Sequence, residues 1–390
     1  MRHKNTVFHS ILVNVPWGVF DRLVEEHQAD KHVRKLPTRT QFTALLYGQL
    51  SGAPSLRALV SSFGSHTQRL YHLGANPVKR SSLSDANAQR PSTVFCGLFA
   101  ALVARVHPKL AREIKDCVLL LDSTTCPLNG LSEDWAHFST GVCGVKTHVV
   151  YDPDADCPIY AAITPQRTND ITAAKAMPIQ PGATYVFDLG YYDYGWWAEL
   201  DAAGCRIVTR FKANTPLRVE TERQIEPGAE ATASATVLSD RTGYLPARQA
   251  NNRHNPMQRL VREVTVRIET GRVLRLLTND LRASATEIAD LYKRRWAIEL
   301  FFRWVKQTLK LRHFIGTNEN AVCIQIAVAL IAFLLLRLAQ RVHGVDCSPL
   351  LFARLVGANL MHRKTLRQLL TPDADPPRPL DPRQGALQWG

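Results

Sequence analysis

Two apolar runs, each closed by an aspartate, constrain this chain most. CVLLLD ends on Asp122 and ATYVFD on Asp188. Both runs are too short for a core helix and lack polar alternation. They read as strands buried on both faces, which is the pattern of a sheet covered by helices on either side. GVKTHVVYD and PIYAAITP read as a hairpin around the turn DPDADCP, NDITAAKAM as a helix, YYDYGWWAELDAAG as a helix closed by Gly204, and CRIVTRF as a further strand. The series predicts an α/β core on a mixed sheet with antiparallel hairpins at one edge. Functional groups in such sheets gather beyond strand ends. If the two runs are neighbours, Asp122 and Asp188 lie close together, and like charges so placed require a proton or a divalent cation between them.

The 390 residues allow several domains. Residues 1–110 read as all-helical and carry 14 Lys or Arg against 5 Asp or Glu. FTALLYGQL and SLRALVSSF flank the turn SGAP and precede the basic NPVKRSSLSDANAQRP, so this region is expected to be an N-terminal DNA-binding domain with a helix-turn-helix variant. Residues 111–212 form the first part of the core, and 213–275 a β-rich insertion. VREVTVRIETGRVLRLLTND reads as a hairpin turning at Glu-Thr-Gly-Arg. Residues 276–345 complete the core, and 346–390 form a C-terminal extension whose Pro-rich tail is expected to be disordered.

A net charge of +14 and a pI near 9.6 call for an anionic partner, nucleic acid first and an acidic membrane second. The longest apolar run, Ile326 to Leu336, is short for a bilayer span and reads as a buried core helix, so no membrane role is expected. MRHKNTVFHS is polar and precedes no cleavage site. Eight Cys without a CxxC pair or zinc spacing read as reduced thiols of a cytoplasmic protein.

YKRRWAIELFFRWVKQTLKLR, residues 292–312, holds seven Lys or Arg and one acid, Glu299. ATEIADLYKRRWAIELFFRWVKQTLK reads as one long helix. On it, Tyr292, Arg295, Glu299 and Lys306 share roughly one sixth of the circumference, beside an apolar stripe of Leu291, Ile298, Phe302, Val305 and Leu309. An Arg295–Glu299 salt-bridge ladder would explain the pair on its own. With Asp122 and Asp188, however, Glu299 would complete an oxygen-ligand site for Mg2+ or Mn2+, with the bases holding DNA phosphates.

The spacing Tyr292-x2-Arg295-x3-Glu299-x6-Lys306 matches the Y-x2-R-x3-E-x6-K signature of the insertion-sequence-four family of bacterial DDE transposases. DLGYYDY resembles that family's second-acid element at Asp188, Gly190 and Tyr191, with Leu189 where Arg is common. LLLDSTT is similar to its strand-ending first Asp, and the N-terminal region resembles the family's helical domain. The resemblance covers roughly residues 1–345. It implies an RNase H-like catalytic core interrupted by a β-rich insertion and preceded by an all-helical domain. It also implies cut-and-paste transposition on double-stranded DNA, at terminal inverted repeats and target DNA, by a dimer in the synaptic complex, in the bacterial cytoplasm and on the nucleoid. Asp122, Asp188 and Glu299 would hold two Mg2+ (or Mn2+) ions, while Tyr292, Arg295 and Lys306 would contact phosphates. A structure-specific nuclease of the same fold and an inactive DNA-binding regulator are the alternatives.

Trp296 borders the polar stripe and is a candidate to stack on a base, in competition with core packing, whereas Trp304 points to the core. Lys146 and His148 alternate on a strand between the first two acids and are candidates to face DNA. Asp152, Asp154 and Asp156 lack the Gly and distal Glu of a calcium loop and read as a solvated turn. Asp193 falls in the following helix, which leaves Asp188 as the second acid.

Overall fold

A computed structural model describes residues 5–107, 117–139, 142–225, 235–248, 254–308, 314 and 316–370. Seven helices open the chain: α1 (Val7–Leu12), α2 (Trp17–Glu26), α3 (Thr38–Ser51), α4 (Leu56–Gly64), α5 (Thr67–Leu70), α6 (Arg80–Gln89) and α7 (Thr93–Val106). Then come β1 (Val118–Leu128), α8 (Glu133–Ala136), β2 (His137–Ser139), β3 (Val142–Asp152), β4 (Cys157–Pro165), α9 (Asp170–Lys175), β5 (Thr184–Phe187), α10 (Tyr194–Ala202) and β6 (Arg206–Arg210). Strands β7 (Arg218–Arg223), β8 (Ala235–Tyr244), β9 (Leu260–Ile268) and β10 (Val273–Thr278) precede α11 (Ala285–Arg294), α12 (Trp296–Thr308), α13 (Glu319–His343) and α14 (Pro349–Asn359).

All ten strands form one mixed sheet in the order β2-β3-β1-β5-β6-β10-β9-β8-β7, with β4 also on β3. Among the described residues, only β1–β5 and β5–β6 are parallel. Antiparallel pairs therefore flank the parallel centre on both sides, not at one edge as expected, because β10 pairs with β6 and extends the sheet. Residue 275 lies inside β10, so the expected insertion boundary does not coincide with a break in structure. The β9–β10 hairpin turns at Glu269 to Arg272, with Gly271 at φ +79°.

Period-2 alternation sorts the central strands onto two cores. Leu119, Leu121, Tyr185, Phe187 and Ile207 pack with Trp196, Trp197 and Leu200 of α10. Val118, Leu120, Val186 and Val208 join the opposite core, with Ile298, Phe302 and Val305 of α12 and the length of α13.

Helix α13 is apolar on all sides and buried accordingly. It packs against α1, α3, α6, α7 and α14 as well as α12 and β4. The N-terminal helices thus share one core with a helix from the far end of the chain. Arg69 donates to the Met361 carbonyl, and the amides of Val7 and Phe8 donate to the carbonyls of His362 and Leu360. At 25 residues α13 is longer than the apolar run in the sequence suggests and would cross a bilayer by length and composition. Here 89% of its apolar window is buried inside the fold. Residues 371–390, the tail expected to be disordered, lie outside the described residues.

The turn between β3 and β4 is not simply solvated. Asp152 is buried and receives His107 Nε2 at 2.6 Å and the amides of Asp154 and Ala155. Asp154 pairs with Arg294, and Asp156 with Arg337 at 2.5 Å. The three acids anchor the hairpin to α7, α11 and α13, which explains their close spacing. All eight Cys are free thiols, and Cys96 is exposed.

Candidate active site

Strand β1 does not end at Asp122. It continues to Leu128 because β3 pairs with it antiparallel over Leu120 to Leu128. What ends is the parallel pairing with β5, whose last register is Leu120 with Val186. Two residues further along each strand stand Asp122 and Asp188, both in the alternation of the residues that face α12. The amide of Ser123 donates to Asp122 Oδ1 at 2.8 Å, and that of Gly190 to Asp188 Oδ1 at 2.8 Å. Asp193 is not inside the following helix; it caps α10 through the Trp196 amide and pairs with Lys175.

The long helix expected over residues 285–310 is two helices, α11 and α12, joined at Arg295. The Arg295 amide donates to Tyr292 O and the Ile298 amide to Arg295 O, so the joint is wound tighter than an α-helix. Helix α11 lies over β6 and β10, and α12 over β1. Arg295 therefore reaches inward, with Nη1 3.6 Å from Asp122 Oδ2 and Nη2 2.5 Å from Glu299 Oε1. Its Nε is buried without a hydrogen bond. Burial disfavours its charge, yet Tyr292, Glu299 and Asp122 together push the guanidinium upward. Arg295 binds the first acid to the third, so Glu299 is set against Asp122 by a cation and not merely laddered along its own helix.

Tyr292 is buried, with its ring 5.8 Å from the Arg295 guanidinium carbon. Burial raises its hydroxyl, Arg295 and Arg210 pull it down, and Asp188 adds to the rise. Lys306 lies two turns beyond Glu299, near enough to Cys126 to draw its thiol down against burial. Trp296 is 51% exposed, with the Arg303 guanidinium over its ring. Core packing does not claim it. Trp304 does pack inward, edge-on to Phe333. A cavity of about 770 Å3 opens between β8–β10 and the helix joint, lined in part by Arg210, Arg272, Tyr292, Lys293, Arg295 and Trp296.

Lys146 and His148, expected to face DNA, lie on the face of the sheet opposite to Asp122. Register pairs them with Thr125 and Ser123, whose alternation is opposite to that of Asp122. His148 is fully buried, with Nε2 2.8 Å from Thr164 Oγ1 and Nδ1 3.6 Å from Asp170 Oδ1, and burial lowers it to about 4. Lys146 Nζ is held by Thr168 O and Asp170 Oδ1. Sequence reasoning missed Asp170. Its only local signal was a position at the start of a helix, where acids are common for dipole reasons alone.

Burial pushes the Asp122 carboxyl up to about 6; Asp188 and Glu299 push the same way, while the Ser123 amide and Arg295 pull it down. The folded value stands above the ordinary 3.8, so the folded protein binds the extra proton. This contribution to stability is complete below about 3.8 and is lost as pH rises through about 6. Asp122→Asn removes the titration. With a chelator present, the melting temperature of wild type minus that of Asp122→Asn should fall between pH 4 and 6.5 and then level off. A difference independent of pH would contradict the perturbed carboxyl.

Among the described residues, no three His, Cys, Asp or Glu side chains converge closely enough to hold an ion. Asp188 and Glu299 nevertheless stand near enough to Asp122 to add their repulsion to the burial that raises its carboxyl, so three carboxylates share one neighbourhood with Arg295. Such a set fits a hard divalent cation, whose charge would take over the neutralising role Arg295 has here.

Residues 113–335, more than half of the chain, match the family described as the transposase DDE domain, and the chain belongs to that family. Residues 3–76 match a domain of unknown function. A Sinorhizobium fredii protein named as transposase y4zB is 41% identical over 301 residues, covering 77% of this chain and 83% of that protein. A Geobacillus stearothermophilus protein named as a transposase for insertion sequence element IS5377 is 30% identical over 261 residues, 66% of either chain. The piggyBac transposase in its synaptic complex with hairpin DNA aligns over 94% of this chain and 81% of its own, at 10% identity and a TM-score of 0.43, too slight a likeness to carry an argument.

Proposed function

We propose that this chain is the DNA transposase of an insertion sequence of the insertion-sequence-four type, a metal-dependent enzyme that cuts at the element's ends and joins them to target DNA. One observation carries the reading. Asp122 and Asp188 stand at matching positions where a parallel strand pair ends, and Arg295 ties Glu299 to Asp122 from the helix above. The order β4-β3-β1-β5-β6, antiparallel over the first three strands and parallel over the last three, supports an RNase H-like core, with β7–β10 as an insertion before the Glu299 helix.

Asp122, Asp188 and Glu299 would hold two Mg2+ ions, whose chemistry is to lower the pKa of the attacking water and stabilise the leaving oxygen of the phosphodiester. Arg210, near Tyr292, and Lys306, near Cys126, would hold phosphates of double-stranded DNA, with Arg295 and Tyr292 nearest the reacting group. Burial around Asp122 limits water beyond the one that reacts. The same groups would then present a freed 3′-OH to target DNA within a dimer spanning both ends. The basic helices of residues 1–110 would add sequence-independent backbone contacts.

The test uses a supercoiled plasmid carrying the gene's own flanking DNA, incubated with full-length protein and Mg2+. Wild type should cut at the element ends and join them to a target. Glu299→Gln should bind the same DNA without cutting it. Binding without cleavage by both proteins, in Mg2+ and in Mn2+, would overturn the proposal and point to a DNA-binding regulator.

A further inference from the structure

The fourth acid of the region, Asp170, is assigned no part in the chemistry above, yet it touches the supports of both aspartates. Its Oδ1 accepts the Ser123 hydroxyl at 2.8 Å. Ser123 is the residue whose amide donates to Asp122. Asp170 also packs on Gly190, the residue whose amide donates to Asp188. A methyl group on Gly190 would sit 3.0 Å from Asp188 Oδ1 and 3.1 Å from Asp170 Oδ2, so the two carboxylates flank one bare Cα. Asp170 is itself fixed by Lys146 at 3.2 Å, with His148 Nδ1 at 3.6 Å, both from β3. Three segments therefore meet at this carboxylate: β1 through Ser123, the turn after β5 through Gly190, and β3 through its two bases.

We infer that Asp170 is a positioning residue: from the opposite face of the sheet it holds the backbone amides that aim Asp122 and Asp188, and so sets their spacing for a divalent cation. The inference rests on the two-ion reading of the site. It also gives Lys146 and His148 a role that does not involve DNA. Groups that orient a ligand from behind typically change metal affinity by about 10- to 100-fold when removed.

Mn2+ binding to the full-length protein, followed by electron paramagnetic resonance with the metal alone, tests this. Ser123→Ala leaves the Asp170–Lys146 pair intact and cuts the link from Asp170 to β1, together with the Ser123 contact to the Tyr191 hydroxyl. It should weaken Mn2+ binding by about 10-fold or more, with the chelated protein's melting temperature unchanged. Asp170→Ala should weaken binding at least as much. Asp170→Asn keeps an acceptor oxygen for the Ser123 hydroxyl and should recover most of the loss, whereas Asp170→Leu, which fills similar space without an acceptor, should not. If wild type binds Mn2+ and Ser123→Ala and Asp170→Ala bind it as tightly, the role of Asp170 is overturned while the metal site stands. If wild type binds no Mn2+, both fall together.

Discussion

Asp188→Asn should lower end cleavage by more than about 100-fold, since even groups that only support a metal ligand account for 10- to 100-fold. The amide oxygen of Asn can still accept the Gly190 N–H, so the turn after β5 keeps its main-chain bond. Only the charge is lost. Asp188 is one of the groups that raise the Asp122 carboxyl, so the substitution should move that carboxyl down, with burial left as the chief cause of its remaining elevation. Two readouts follow from one change: a plasmid cleavage assay with almost no product, and a chelated protein at least as heat-stable as wild type because a carboxylate repulsion has gone. Cleavage within a few-fold of wild type would remove Asp188 from the reaction. Loss of activity together with a large drop in melting temperature would mean that the turn, not the charge, had been damaged.

Asp240→Ala should destabilise the protein by about 3–5 kcal/mol, the usual consequence of leaving one charge of a buried pair unmatched. Arg262 on β9 places Nε and Nη2 on the two oxygens of Asp240 on β8, at 2.7 and 2.8 Å, and both residues are buried. Arg223 on β7 joins the same carboxylate at 3.0 Å. Arg262 Nη1 also donates to the carbonyls of Asp280 and Ala283, just ahead of the Ser284 cap of α11. This pair thus holds three outer strands to the start of the helix that presents Tyr292. Urea unfolding should show the loss as a lower midpoint, and a second change, Arg262→Met, should recover much of it because no charge is then left buried. A loss below about 1 kcal/mol would class the pair with exposed ones.

The local features of this chain are written in its sequence. Apolar runs without alternation mark β1 and β5, and the Glu-Thr-Gly-Arg turn marks the β9–β10 hairpin. Gly204, at φ +73°, marks the end of α10. These follow from backbone sterics and short-range hydrogen bonds, which depend on neighbours a few residues apart. The three acids were legible for the same reason: two end an apolar run and the third has fixed spacings within one segment. The break at Arg295 was not legible, because nothing local in the segment marks it and the contact Arg295 makes there is with Asp122, more than 170 residues earlier. Nor was the inward turn of His148, since strand alternation fixes two faces but not which of them is covered. Asp170 looked like any acid at a helix start until the crossing of β1, β3 and the turn after β5 placed Ser123 and Gly190 beside it. The sequence by itself determined the apolar cores of the central strands and the β9–β10 turn, through interactions local in the chain, and it singled out Asp122, Asp188 and Glu299 as candidates. Only the tertiary structure decided which face each residue serves, where the long helix breaks and which distant groups hold the acids in place, because those depend on contacts between segments far apart in sequence.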